Sequence, residues 1–450
     1  MTGNHLARRR CTTATSCALV SERGHSKSVL PNAELFDEPM PVGTAYHLLR
    51  EELIRDANPR FNLATFASTW MEPEATRLIN ESLAKNLVDP RAYPATTQIE
   101  QRCLNILASM YNLPRETNED VIGVSTVGSS EAIMLAVLAM KERWAEQSTE
   151  SGQNKTVRPN IIMSSAVHIC WTKAARYFEV DIQHVPCSKS RYILDPGQAV
   201  DLVNEGTIGI CCILGTTYTG EYEDVQAVNS LLSQRSLEVP IHVDAASGGF
   251  VAPFMTPNLE WDFRLENVTS INVSGHKYGL VYPGIGWGLW RSRAHLPRHL
   301  VFQLSYLGAI QESYTLNFTR GSSHVIAQYY QFVRLGKAGY HERLSAIVQV
   351  AERLTQALRE LGFMILSKAD GVRGIPIVAF RLKPSRKPKF DEFVLSEKLQ
   401  RLGWLVPAYH MADGASGIKL LRVVCRVDFT QELCDLFVRH MRTTLEECIA

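Results

Sequence analysis

Lys277 is an amine in a place that offers it little water. It follows Val273, Ser274, Gly275 and His276 in the stretch NVSGHKYG, directly after an apolar run that reads as a buried strand. Three further stretches end apolar runs in polar or small residues. HVDAASGG gives Asp244 followed by Ala245 and Ala246; STVGSSEA sets Gly128, Ser129 and Ser130 at the start of a helical pattern; AVHICW puts His168 at the mouth of another. In an open α/β sheet, ligands sit beyond the carboxyl ends of the strands, so these are the side chains to read first. Singly, each has an ordinary explanation. Gly-Ser-Ser is a common helix cap, His168 could be a satisfied histidine, and Lys277 could be an ion-pair partner for Asp244. A metal site built from His242, Asp244 and His276 is not expected, on the reading that the first two turn away from each other along their strand.

Taken together, the four stretches match the needs of one cofactor, pyridoxal 5'-phosphate. It requires an amine to condense with its aldehyde, a carboxylate against its pyridine nitrogen, a cradle for its phosphate and flat packing against its ring. Lys277, Asp244, the Gly128–Ser129–Ser130 turn, and His168 with Ala246 could fill those places. Burial disfavours the charged form of a lysine and so frees its amine for carbonyl chemistry. Hydroxyls and free N–H groups at a helix start suit a phosphate.

The elements that must position these residues follow from pattern. The segments SSEAIMLAVLAMKERWAEQ, CWTKAARYF and DVQAVNSLLSQRS have helical apolar spacing, whereas NIIMSS, TIGICCILG and VPIHVDAAS read as strands buried on both faces. That alternation predicts an α/β fold with a mostly parallel sheet between layers of helices. After Arg320 the texture changes to a long helical stretch, then IPIVAFRL, DEFVLSEKLQRLG and the strand pair WLVPAYH and IKLLRVVCR, which predicts a smaller C-terminal α+β domain. The expected division is a disordered N-terminal tail over 1–45, a large domain with its N-terminal segment over 46–330, and the small domain over 331–450.

Composition bounds the partners. The 450 residues include 47 Lys plus Arg against 46 Asp plus Glu, so no broad charge footprint points to nucleic acid or a membrane surface. Small molecules are the expected partners. No run approaches the length of apolar chain a membrane span needs. Ten scattered cysteines without metal-ligand spacing fit reduced thiols and a cytoplasmic protein. The tail, with Arg8, Arg9, Arg10, Arg23 and Lys27 against Glu22, also has the composition of a mitochondrial transit peptide. A frayed tail is the reading adopted, because those basic residues do not line one helix face.

The motifs SGHKYG, HVDAASGGF, GTTYTGEYE, NLATFASTW and VGSSEA together closely resemble the glutamate decarboxylases, pyridoxal-phosphate enzymes of the aminotransferase-like fold (fold type I), over about residues 46 to 442. The resemblance implies a seven-stranded sheet of mostly parallel strands, and decarboxylation of L-glutamate to 4-aminobutanoate and CO2 in a homodimer or higher homo-oligomer. It implies Lys277 as the Schiff-base lysine and Asp244 as the pyridine partner. It places Ser129, Ser130, Ser274 and His276 on the phosphate and Thr217 on the cofactor. Thr65, Phe66, Asn86 and Asp89 would hold the substrate side-chain carboxylate, and Arg422 would pair with a substrate carboxylate. Tyr306, in a loop that closes over the site, is the candidate proton donor or a water shield. Thr319 would reach the phosphate of the neighbouring subunit. Departures are His168 where glutamine is usual, Thr319 for serine, Gly321 for proline and Ala309 for glycine. The chain ends at Ala450 without a basic, tryptophan-containing extension, so calmodulin is not expected as a partner. The competing readings are a decarboxylase of another acidic or modified amino acid, and an inactive scaffold; intact Lys277 and Asp244 argue against the scaffold.

Overall fold

A computed structural model describes residues 30–114, 121–150, 157–304, 311–384 and 389–449. The chain divides into two compact units, Met1–Ala57 and Asn58–Ala450. In the first, the described residues carry helix α1 (Val42–Leu53), which begins inside the segment read as a tail. Its apolar side chains Val42, Tyr46, Leu49 and Leu53 are exposed.

The second unit is built on strands β1 (Gly123–Thr126), β2 (Asn160–Ser164), β3 (Asp181–Val185), β4 (Thr207–Ile213), β5 (Ile241–Asp244), β6 (Val268–Val273) and β7 (Gly286–Trp290). They form one sheet in the order β1-β7-β6-β5-β4-β2-β3. Pairings from β3 through β6 are parallel, and β7 runs antiparallel to both β6 and β1. Because two reversals restore direction, β1 runs with β6. The carboxyl ends of β1, β2, β4, β5 and β6 therefore share one edge of the sheet.

Every residue of β1, β2, β4, β5, β6 and β7 is buried, as strands covered on both faces should be. The helices of this unit are α2 (Pro73–Glu81), α3 (Pro94–Met110), α4 (Ser129–Glu150), α5 (Ile169–Tyr177), α6 (Pro196–Asp201), α7 (Val225–Gln234), α8 (Ala252–Met255) and the long α9 (Ser323–Glu360), of which α3, α4 and α5 pack directly on strands of the sheet. Strand β7 carries no clear apolar signal because glycines interrupt it. One of them is required: a Cβ on Gly286 would lie 2.5 Å from the carbonyl carbon of Gly128, at the start of α4. Only a bare backbone lets β7 press against that turn.

Strands β8 (Phe302–Leu304) and β9 (Gln311–Ser313) pair with each other. Tyr306 and Ala309, in the loop between them, lie outside the described residues. A second sheet joins β10 (Phe363–Ile365), β11 (Ile377–Leu382), β12 (Ala408–His410) and β13 (Lys419–Val424), all antiparallel, in the order β10-β11-β13-β12. Helices α10 (Glu392–Arg401) and α11 (Gln431–Ile449) pack with α9 around it. The expected boundary at 330/331 falls inside α9, which packs on α2 and α3 and also on β10 and β11. It changes direction at Gly336, whose φ of 56° and ψ of −168° are not helical.

Candidate active site

At the shared edge of the large sheet lies a cavity of about 400 Å³. Five of the strands that end there contribute. After β1 come Gly128, Ser129 and Ser130; after β2, His168 and Cys170; after β4, Gly215 and Thr217; from β5, Asp244, Ala246 and Ser247; after β6, Ser274, His276 and Lys277. The four stretches singled out in the sequence thus converge on one space.

The Lys277 amine donates to the Ser247 hydroxyl at 3.2 Å and stands 5.1 Å from the centre of the Phe66 ring. Burial lowers its pKa, with Asp244 opposing the shift. Among the described residues no carboxylate lies within ion-pair distance of it. Asp244, almost fully buried, is held instead by neutral donors. Trp171 Nε1 donates to Oδ2 at 2.8 Å, and Asn272 Nδ2 at 2.9 Å and the Ala246 N–H at 3.1 Å donate to Oδ1.

The opposite end of the cavity is built for an anion. Ser129 Oγ lies 2.8 Å from Ser274 Oγ at the N-terminus of α4. His276 Nδ1 is 2.8 Å from the Ile285 carbonyl, which can only accept, so Nδ1 carries a proton and Nε2 is the nitrogen left over. A Cβ on Gly128 would come within 3.3 Å of the His276 ring. Burial lowers the His276 pKa. Glu131, nearly buried, accepts from the Val127 N–H through one oxygen at 2.9 Å and so braces the turn.

His168 caps α5, its Nδ1 accepting from the Cys170 N–H at 3.3 Å. Its pKa is lowered first by desolvation and then by Lys277. Burial pushes the neighbouring Cys170 thiol up to about 12, so it stays a thiol.

Arg422, on β13 and 7% exposed, donates to the carbonyls of Thr217 at 2.6 Å and Ala64 at 2.8 Å, and its Nε has no partner among the described residues. Its guanidinium carbon stands 4.7 Å from the centre of the Phe66 ring. Phe66 therefore touches both Arg422 and Lys277. Thr65 is adjacent, its hydroxyl accepting from the Ala67 N–H at 3.1 Å.

Thr65, Phe66 and Arg422 are not among the cavity's lining residues but adjoin it through the contacts of Phe66 with Lys277 and of Arg422 with Thr217. Asn86, Asp89 and Thr319 stand elsewhere. Asn86 bridges to Gly321, and its side-chain oxygen accepts from the N–H groups of Val88 at 3.3 Å and Arg320 at 3.2 Å. Asp89 accepts from the Ala92 N–H at 3.0 Å, and Thr319 is exposed. Arg320 anchors this patch through Glu100 and Ser125 Oγ, both at 3.0 Å. The expectation for His242 and Asp244 is corrected. Residues two apart on a strand share a face, and both meet Trp171. What commits the histidines is hydrogen bonding, His242 to Ser270 and Asn272 and His276 to Ile285. Among the described residues no cluster suited to a metal ion occurs. Ser247, Trp171, Glu131 and Asn272 were missed from sequence. All four lie within the stretches already singled out, Ser247 in HVDAASGG, Glu131 in STVGSSEA, Trp171 in AVHICW and Asn272 in NVSGHKYG, and were open to notice; only the fold shows which partners they bond.

Residues 48–383 match the pyridoxal-dependent decarboxylase conserved domain. The chain belongs to the pyridoxal-dependent decarboxylase family. It is 49% identical to a glutamate decarboxylase of Petunia hybrida over 426 residues, 94% of this chain and 84% of that one. A glutamate decarboxylase beta of Listeria innocua is 42% identical, with 93% and 90% covered. The solved structure of a Lactobacillus brevis glutamate decarboxylase superposes with a TM-score of 0.89 at 40% identity, covering 93% of this chain and 95% of that one. As a member of the family the decarboxylase uses pyridoxal phosphate. Its cavity fits that group: among the described residues it has a buried amine without a countercharge, a carboxylate held by neutral donors, and a hydroxyl-lined helix start beside an imidazole nitrogen with no bond.

Proposed function

We propose that this decarboxylase converts L-glutamate to 4-aminobutanoate and CO2. The observation that carries the reading is Arg422, a buried guanidinium against the Phe66 ring, which also lies beside Lys277, with no carboxylate partner among the described residues. A buried cation without a countercharge is costly, and a dicarboxylate substrate supplies one. The names of its relatives support the same substrate.

Bound pyridoxal phosphate supplies an aldehyde to hold the substrate amine and a ring to accept the electron pair that CO2 leaves behind. The protein's residues do the rest. Asp244 would hold a proton at the ring nitrogen. Ser129, Ser130, Ser274, Thr217 and His276 would hold the phosphate, and His168 and Ala246 would pack against the ring. Burial keeps the Lys277 amine more readily neutral, hence able to attack a carbonyl and to accept or return a proton at Nζ. Arg422 would fix a substrate carboxylate, with Phe66 and Thr65 shutting water from that side.

The enzyme acts, on this reading, as a homodimer at least, in which Asn86, Asp89 and Thr319 complete the neighbouring subunit's site. Their grouping on a separate, partly exposed patch supports it, and sedimentation of the holoenzyme as a monomer would count against it. A cytoplasmic location is proposed on composition alone, and cell fractionation tests it.

The functional test is to incubate the purified holoenzyme with an equimolar mixture of amino acids and identify the amines released. 4-Aminobutanoate should dominate, and Lys277→Ala should release none. A different dominant amine would leave a decarboxylase of another substrate.

A further inference from the structure

His242 is a fully enclosed imidazole that none of the steps above employs. Both its nitrogens are bonded: Nδ1 lies 2.7 Å from Ser270 Oγ and Nε2 lies 2.7 Å from Asn272 Oδ1. An amide oxygen only accepts, so Nε2 carries the proton. In a neutral ring Nδ1 must then accept from the Ser270 hydroxyl. Burial does keep the ring neutral, by lowering its pKa. Asn272 in turn donates through Nδ2 to Asp244 Oδ1 at 2.9 Å. The proton donors all point one way, from Ser270 through His242 and Asn272 to the carboxylate. Ser270, His242 and Asn272 are each at most 2% exposed, and β5 and β6 set their spacing, pairing His242 with Ser270 and Asp244 with Asn272.

A primary amide has two ends of nearly the same shape. Turned over, Asn272 would aim an oxygen at Asp244, and two acceptors would face each other in a dry interior. In the orientation observed the amide gives its NH2 to Asp244, and its oxygen is occupied by the N–H of His242, which opposes the turn. Trp171 ties the unit together: it donates to the other oxygen of Asp244, and its ring meets His242 edge-on at 5.2 Å.

We infer that His242 and Asn272 are positioning residues, a one-way hydrogen-bond relay that fixes Asp244 for the ring nitrogen of the cofactor. The inference rests on the reading that Asp244 faces that nitrogen. It differs from a packing role in one respect: its effect must pass through the nitrogen itself.

The experiment removes cofactor from wild type, His242→Phe and His242→Gln, then titrates each with pyridoxal phosphate and with its 1-deaza analogue, in which carbon replaces the ring nitrogen. Absorption and fluorescence read the affinity. Phenylalanine fills the space without donating, and should weaken pyridoxal phosphate by about ten- to a hundredfold, the range seen when outer hydrogen-bond partners of a bound group are lost. The deaza analogue should change by less than about threefold. Glutamine keeps an N–H donor and should restore most of the affinity. Ser270→Ala, one hydroxyl smaller at the head of the relay, carries the same comparison if the phenylalanine variant does not fold. Equal weakening with both ligands, or none with either, would overturn the relay and leave His242 a packing residue. Failure of the wild type itself to bind pyridoxal phosphate would take down the proposed function, and the relay with it.

Discussion

Arg422 is a buried cation whose partners, the carbonyls of Thr217 and Ala64, neutralise nothing. Its planar head reaches both carbonyls and still has Nε free. An ammonium group cannot do all three, so Arg422→Lys is not a conservative change here. It should lower kcat/KM for glutamate by about a hundredfold or more, in line with losing a charge-assisted bond in a closed site, while the absorption of bound cofactor stays unchanged. Steady-state decarboxylation beside an absorption spectrum checks both halves, and an unchanged kcat/KM would place the substrate carboxylate elsewhere. At this scale the sequence was most legible where a motif is short. Lys277, Asp244 and Ser129 each close an apolar run within a few residues of a glycine or serine, and all three line the cavity. Trp171 closes the AVHICW stretch, but its role was not legible there, because the carboxylate it bonds, Asp244, lies 73 positions away. The expectation that His242 and Asp244 diverge failed on strand geometry, since a period of two returns both to one face.

Among the elements, α9 is the one whose form the sequence foretold and whose bend it did not. The helical spacing runs unbroken across Gly336, yet the backbone there takes a positive φ with extended ψ, a region open in practice only to glycine. A Cβ at 336 would meet no atom within 4 Å, so a substitution would be opposed by the torsion and not by a clash. Gly336→Ala should therefore destabilise the protein by about 1–3 kcal/mol, read as a lower urea midpoint, with kcat under native conditions unaltered. No change in the midpoint would mean that α9 can straighten at no cost. Strand β7 escaped the sequence reading for a related reason. Gly286 and Gly288 dilute its apolar pattern, and Gly286 admits the turn at Gly128 before α4.

For the molecule as a whole, composition and the alternation of helical and apolar segments were enough to give the sheet between helices and a separate C-terminal sheet. The way the chain ties its connections together was not legible, and Glu223 is the clearest case. This carboxyl, 3% exposed, accepts from the backbone N–H of Leu194 at 2.9 Å and of Ile213 at 2.7 Å, and so pins the loop before α6 to the end of β4. Burial raises its pKa from 4.5 to about 7 in spite of those two bonds. A raised carboxyl binds its proton more tightly when folded, so from about pH 4.5 to about pH 7 the folded state holds a proton that the unfolded chain has released. Stability from this group is full below that window and falls as pH rises through it, by at most about 3 kcal/mol, before levelling off. Glu223→Gln cannot titrate, and it turns an NH2 toward one of the two backbone donors, costing about 1–3 kcal/mol at every pH. The deficit of the variant against wild type should therefore be largest near pH 5 and shrink toward pH 8. Urea midpoints of both proteins at single pH steps measure it. A deficit that grows with pH would mean that the two backbone bonds outweigh burial and that Glu223 is held as a carboxylate.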